Sequence, residues 1–295
     1  MASDSNRQQP LSSNEMAARL PHVKQPSIHR SQIEAIQSFN RESTLDVKPI
    51  HAYLKHYGYL PYSSSAPNAN EPVGEEITSA LKSFQEFHNL KVDGVFDNET
   101  RTAMTASRCG LPDMSAGSVA FSTIGPWDHL EIRYNIGPMS KHLTTDVCEA
   151  AIRRALDTWE NAGVGLKFTP VANNDNPDFM IDFREANDPD YSMVGNVLAH
   201  ADFPPGFSVV VDNPPLPLHF DDDEHEWFDG EAANKFDVET VALHEVGHIL
   251  GLAHSGVNGA VMFPSVSPDF KLRTLAPDDQ QAITNLYRTS TDPQE

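Results

Sequence analysis

His244, Glu245, His248, Gly251 and His254 follow one another in an order that suits metal chemistry. His244 and His248 are four apart, so on a helix both imidazoles leave the same face, one turn from each other. Two neutral imidazoles at that spacing can hold one side of a Zn²⁺ ion, with Glu245 beside them as a general base. Gly251 can take the positive φ that ends a helix, and the turn it allows brings His254 back as a third ligand. Three protein ligands leave a fourth position open, the arrangement of a catalytic rather than a structural zinc. Zinc so held lowers the pKa of a water and polarises a carbonyl, while Glu245 takes the proton and passes it to a leaving group. No nucleophilic Ser or Cys is required. An apolar helix that happens to carry histidines would account for His244 and His248, but not for Gly251 and His254 at these offsets.

Such a helix must be embedded among other elements, and periodicity predicts them. After Trp127, the alternation of Leu130, Ile132, Tyr134 and Ile136 predicts a strand. Val147, Ala151, Ile152, Ala155, Leu156 and Trp159 share one face of a helix over 145–162, capped at Thr144 or Thr145. Leu166–Phe168, Phe179–Phe183, Val197–Ala201 and Phe207–Val211 read as further strands, and the histidine helix starts near Val238. Mixed strands around two long helices predict an α+β domain over 118–289. Ahead of it, helical spacing recurs at Val47, Ile50, Leu54 and Tyr57, and again at Ile77, Leu81, Phe84 and Phe87. Asp97 caps a third helix through Thr100, Ala103 and Met104, which makes a small three-helix unit over 46–106. Residues 1–45 are polar and aperiodic and read as a mostly disordered tail with a weak helix around 31–39. Residues 290–295 are a short C-terminal tail.

The spacing from His244 to His254 is the long H-E-x-x-H-x-x-G-x-x-H motif of metzincin zinc peptidases, and Met262 resembles their Met-turn, a methionine floor under the metal histidines. Residues 46–106 resemble the peptidoglycan-binding-like domain, through Tyr57-Gly58-Tyr59-Leu60, Leu81-Lys82-Ser83-Phe84-Gln85 and Leu90-Lys91-Val92-Asp93-Gly94-Val95-Phe96-Asp97. Ser107-Arg108-Cys109-Gly110-Leu111-Pro112-Asp113 resembles the cysteine switch of matrix metalloproteinase zymogens, with Ser107 where that family has Pro. Residues 46–289 together therefore resemble a matrix metalloproteinase with its propeptide, the switch and linker lying at 107–117. The resemblance implies a zinc-dependent endopeptidase made as a latent zymogen and acting on protein or peptide substrates. In it His244, His248 and His254 hold the catalytic zinc, Glu245 is the base, and the Cys109 thiolate is an inhibitory fourth ligand. Gly110 lets the backbone approach the cleft, and Arg108 can pair with Asp113 to hold the loop.

The same resemblance implies that 265–273 form a wall of the S1′ pocket and that Asp278 or Asp279 receives the new N-terminus after propeptide removal. It also implies a structural zinc at His200 and His219 and calcium at Asp221 and Glu224. Here the chain departs from the family. The H-x-D pair is absent, no histidine occurs between His142 and His200, and only Asp188 or Asp190 stands to substitute. Pro215-Leu216-Pro217-Leu218 replaces the family's Gly-Gly-Asp-Ala. Two histidines and one carboxylate make an incomplete tetrahedral site, so a bound metal and plain buried histidines beside a solvated acidic loop both remain open.

Lys plus Arg number 21 against 42 Asp plus Glu in 295 residues, a formal charge of −21. That surface repels nucleic acid and anionic lipid, which argues against both as partners, and it is compatible with bound Ca²⁺. No apolar stretch is long enough for a membrane span, and a monomer is expected. The first 30 residues hold no apolar core of signal-peptide length, at odds with the extracellular habit of the resembled family, so localisation stays open. The two cysteines make no disulfide framework; with Cys109 held at zinc, Cys148 reads as a buried free thiol. A rival reading from another class is a wall- or glycan-binding protein that uses 46–106 for attachment. Peptide preference, physiological substrate and activation route are not legible in the sequence.

Overall fold

The computed structural model describes residues 28, 30–38, 46–67, 74–114, 123–211 and 213–288. Four helices come first: α1 (Arg30–Gln37), α2 (Val47–His56), α3 (Glu75–Phe87) and α4 (Asn98–Thr105). Asp46 and Asp97 cap α2 and α4, accepting from Lys48 N at 3.1 Å and Thr100 N at 2.9 Å. Tyr53, Leu54, Phe84 and Met104 fill the core between them.

The expectation of a disordered tail before residue 46 is corrected for 28 and 30–38. Ile28, Ile33 and Ile36 enter the same apolar core, and α1 packs on α2 and α4. The weak helix expected around 31–39 is present at Arg30–Gln37, and its stability comes from partners distant in sequence. The rest of the predicted tail, part of the 107–117 switch and linker, and the 290–295 tail lie outside the described residues.

The second unit is a six-stranded mixed sheet with helices. Its strands are β1 (Arg108–Cys109), β2 (Glu131–Ile136), β3 (Lys167–Pro170), β4 (Phe179–Arg184), β5 (Val197–Ala201) and β6 (Leu216–Asp221). They lie in the order β1-β5-β6-β4-β2-β3, parallel except for the antiparallel pair β5–β6. A small parallel ladder joins β7 (Trp227–Phe228) to β8 (Phe236–Asp237).

One predicted strand of this sheet is corrected, and one strand was not foreseen. Phe207–Val211 is not a strand. The amides of Val209, Val210 and Val211 instead turn inward to the buried Asp202 carboxylate, at 2.6, 3.1 and 2.8 Å, and so cannot join a ladder. The strand lies further on at Leu216–Asp221, hidden in the sequence by Pro217, which argues against a central strand. Pro217 is tolerated because Leu216 N already points to β4, at Asp178 O, while on the β5 side pairing stops at Leu218.

Three helices complete the unit: α5 (Thr145–Glu160), α6 (Val238–Ile249) and α7 (Pro277–Tyr287). All twelve residues of α6 are buried, so it is a core helix rather than an amphipathic one. Asp237 caps its start, accepting from Thr240 N at 3.1 Å. The indole N–H of Trp159, on α5, donates to Leu243 O at 2.9 Å, and that of Trp127 to Ile249 O at 2.7 Å. Trp159 is fully buried, a residue whose truncation typically costs about 3–5 kcal/mol. The α7 hydroxyl of Tyr287 donates to Leu250 O at 2.9 Å, so the C-terminal end of α6 is held by two neighbours. Among the described residues no helix is long and apolar enough to cross a membrane.

Candidate active site

His244 and His248 project from one face of α6, their Nε2 atoms 3.1 Å apart. Gly251 follows with φ +94°, where a Cβ would lie 2.0 Å from Gly125 O, so the reversal demands glycine. The turn brings His254 back, its ring centroid 5.2 Å from that of His244 and 4.8 Å from that of His248. Cys109 Sγ arrives from β1, 3.5 Å from His248 Nε2. One ligand atom from each of these four buried residues lies within 4.8 Å of all the others.

Zinc fits this set. Tetrahedral Zn–N and Zn–S bonds of ordinary length place ligand atoms roughly 3.3 to 3.6 Å apart, close to the N···N and S···N separations seen here. His254 Nε2 is buried without a hydrogen-bond partner, as an atom reserved for a metal must be. The other ring nitrogens are engaged: His244 Nδ1 donates to Val261 O and His248 Nδ1 to Leu252 O, both at 2.7 Å, and His254 Nδ1 pairs with Asp113 Oδ1 at 2.9 Å. Burial, reinforced by the neighbouring imidazoles, depresses His244 to about 3 and His248 well below the usual imidazole range, which keeps both rings neutral and able to ligate.

Glu245 is fully buried; Oε2 lies 3.6 Å from Cys109 Sγ, and Oε1 has no hydrogen-bond partner. Burial pushes its carboxyl up to about 8. Burial, followed by the Glu245 carboxylate, likewise raises the Cys109 thiol well above its ordinary range, a preference that coordination to a cation reverses. Met262 lies on the loop below α6, its sulfur against the Gly247 backbone. That loop is fixed by Asp279, whose carboxylate accepts from Val261 N at 2.8 Å and Met262 N at 3.1 Å. Of the two candidate acids for a new N-terminus, Asp279 is therefore fully buried and spent on the loop, while Asp278 is half-buried and accepts from Ser255 Oγ at 2.7 Å.

Residues 107–110 lie in the cleft as an added strand. Arg108 N donates to Asn196 O and Gly110 N to Ala199 O along β5, while Cys109 N donates to Pro264 O, all at 2.9 Å; Val266 N donates to Ser107 O at 3.1 Å. At Gly110 a Cβ would stand 2.8 Å from the Tyr191 ring, so this close approach also requires glycine. The Tyr191 hydroxyl donates to Gly110 O. Arg108 is wholly buried, 3.5 Å above the Tyr57 ring centroid, donating to Tyr53 OH at 3.0 Å and forming a forked pair with Asp113. Arg108→Ala is expected to cost about 3–5 kcal/mol, because a buried carboxylate loses its main counter-charge. A lowered urea midpoint with unchanged slope is the check.

The matrixin family model matches residues 126–288, more than half of the chain, and a putative peptidoglycan-binding domain model matches 43–104. The chain belongs to the matrixin family. Its metallopeptidase domain is accompanied by similarity to metalloendoproteinase 1 of Glycine max, 28% identical over 92% of this chain and 93% of that one. Matrix metalloproteinase-19 of Homo sapiens is 35% identical over 82% of this chain and 46% of its own length. Interstitial collagenase of Bos taurus is 35% identical over 84% and 50%. The chain thus spans nearly all of the plant relative and about half of each animal one.

A second cluster in this matrixin joins Asp188, His200 and His219. His219 Nδ1 is 2.7 Å and His200 Nε2 3.9 Å from Asp188 Oδ2, all three residues are buried, and neither nitrogen of His200 has a hydrogen-bond partner. Burial acts to raise the Asp188 carboxyl, but His200 and His219 hold it well below the usual range. Of the two possible substitutes for the missing pair, the structure brings in Asp188 and leaves Asp190 exposed. Asp221 and Glu224 stay apart from this cluster. Asp221 Oδ1 accepts from Asp223 N at 2.8 Å; Glu224 accepts from Gly195 N at 2.7 Å and pairs with Arg30. Beside His244 and Glu245 a cavity of about 210 Å³ opens among Leu198, Val241, Val261, Val266, Phe270 and Leu272. The Asp113–His254 contact was not anticipated, since it has no spacing signature.

Proposed function

We propose that this matrixin is a zinc-dependent endopeptidase held latent by its own residues 107–113. The observation that carries the reading is the convergence of Cys109 with His244, His248 and His254, one ligand atom from each within 4.8 Å of the others. On this reading residues 46–106 are the propeptide unit, 107–117 the switch and linker, and 118–289 the catalytic domain. Zinc held by the three histidines supplies Lewis acidity toward a scissile carbonyl and makes a bound water acidic. Glu245, adjacent to the same centre, takes a proton from the attacking water and hands it to the departing amine. The α6 core and its indole contacts keep Glu245 and the imidazoles in register, so little reorganisation accompanies reaction. The 210 Å³ cavity, walled partly by residues of 265–273, suits an apolar side chain next to the cleaved bond. Substrates are peptides and proteins bound as an extra strand on β5, where 107–110 now lie.

The latent chain has two parts to its block: the Cys109 sulfur at the metal and the backbone pairing of 107–110 along β5. Incubating the full chain with and without a thiol-reactive activator, then mapping peptide products by mass spectrometry, tests activity and latency together. Cleavage that does not depend on the activator removes the latency reading, and no cleavage in either arm removes the peptidase reading.

Asp188, His200 and His219 supply three ligands to a second zinc ion, one short of a closed tetrahedral set. Two zinc ions per chain are the expected content, falling to one in His219→Ala with the catalytic ion retained; one ion per wild-type chain refutes the second site. Calcium has no comparable support, because Glu224 is already occupied by an amide and a guanidinium. A glycan-binding role for 46–106 rests on the family match alone, and its Tyr53, Tyr57 and Tyr59 are turned to Arg108 and Asp113.

A further inference from the structure

We propose that Asp113 is a positioning residue for the catalytic metal: an outer carboxylate, supplied by the prosegment, that orients His254. The inference rests on the zinc reading above. Each of the three imidazoles needs its Nδ1 to carry hydrogen so that Nε2 offers its lone pair. His244 and His248 meet that need with backbone carbonyls of the catalytic domain, Val261 O and Leu252 O. His254 meets it with a carboxylate from another part of the chain, Asp113 Oδ1 at 2.9 Å. Both side chains are fully out of solvent.

Asp113 is placed to accept hydrogen bonds: the buried Arg108 guanidinium forks onto both of its oxygens. Tyr59 OH donates to Oδ2 at 2.7 Å, so the helical unit fixes the carboxylate from behind. An ionised carboxylate only accepts, which places the hydrogen of His254 on Nδ1 and leaves Nε2 free, and Nε2 is the buried atom without a partner. A charged acceptor also makes the imidazole a more basic ligand than a carbonyl does. The prosegment therefore acts on the metal twice, directly through Cys109 and at second hand through Asp113. Its departure strips His254 of the charged partner, so the latent chain holds zinc more tightly than loss of the thiolate alone explains.

The test uses zinc-loaded full-length chain with ¹⁵N-labelled histidine. In the wild type, the His254 Nδ1–H proton is expected furthest downfield of the three metal imidazoles and slow to exchange. Asp113→Asn moves that signal alone, and Asp113→Ala weakens zinc in a chelator competition by about 10- to 100-fold. Cys148→Ala, which lies outside the converging ligand set, leaves zinc affinity as in the wild type. A His254 Nδ1–H in the wild type that exchanges freely overturns the proposal without any variant. Unchanged zinc affinity in Asp113→Ala with Cys109 still shielded from thiol reagents also overturns it. A wild-type chain that binds no zinc overturns the peptidase reading itself, a separate outcome read before any variant is made.

Discussion

Glu245→Gln is expected to lower peptide turnover by about 10²- to 10⁴-fold while zinc stays bound, the usual contribution of a positioned proton-transfer group. Glutamine keeps the shape of the side chain and can still hydrogen-bond, but it cannot take a proton. Glu245 is not in the converging ligand set, which consists of Cys109 and three histidines, so metal content should not follow activity. Glu245 is fully buried, so a neutral side chain of the same shape adds no desolvation cost there. Turnover of a fluorogenic peptide by activator-treated chain, measured beside zinc content by atomic absorption, gives both quantities. Hydrolysis near the wild-type rate in a zinc-loaded Glu245→Gln chain would remove Glu245 from the reaction.

Cys109→Ala should hydrolyse peptide as a full-length chain without any activator, at a rate at least about 100-fold above untreated wild type. That figure corresponds to an internal ligand present at about a hundred times its dissociation constant. Removing the sulfur opens the fourth position at the metal but leaves the backbone bonds of 107–110 to β5 and Pro264 O. Some inhibition by the added strand therefore remains, and cleavage after residue 110 should raise activity further. Cys148→Ala is the control. Its thiol is buried between α5 and its neighbours and does not belong to the metal set, so latency should persist. A Cys109→Ala chain as silent as the wild type would mean that strand pairing alone keeps the cleft closed.

These expectations depend to different degrees on what the linear chain displays. The cleft histidines and Glu245 were readable because a helical period and one glycine turn carry their geometry within eleven residues, and the structure has both. Cys109 and Arg108–Asp113 were readable from flanking residues, although their partners Tyr53 and Tyr57 were not. The errors fell where a distant group competes with a local pattern. Val209, Val210 and Val211 have the composition of a strand, yet one buried carboxylate, Asp202, captures their amides. Pro217 argued against a strand that exists because its missing N–H faces the side where β5 has ended.

By itself the sequence determined the turn that gathers His244, His248 and His254, the place of Glu245 beside them, the Asp97 cap of α4 and the approach of the Cys109 thiol to the three histidines. Each is a matter of residue type at fixed spacing, within reach of local backbone geometry. Only the tertiary structure decided that Asp188, not Asp190, joins His200 and His219, that α1 belongs to the helical core, and that Asp113 completes the surroundings of His254. Those contacts link residues 12 to 141 positions apart. Their partners are chosen by which buried polar atoms must be satisfied once the chain is packed, and no period in the sequence records that.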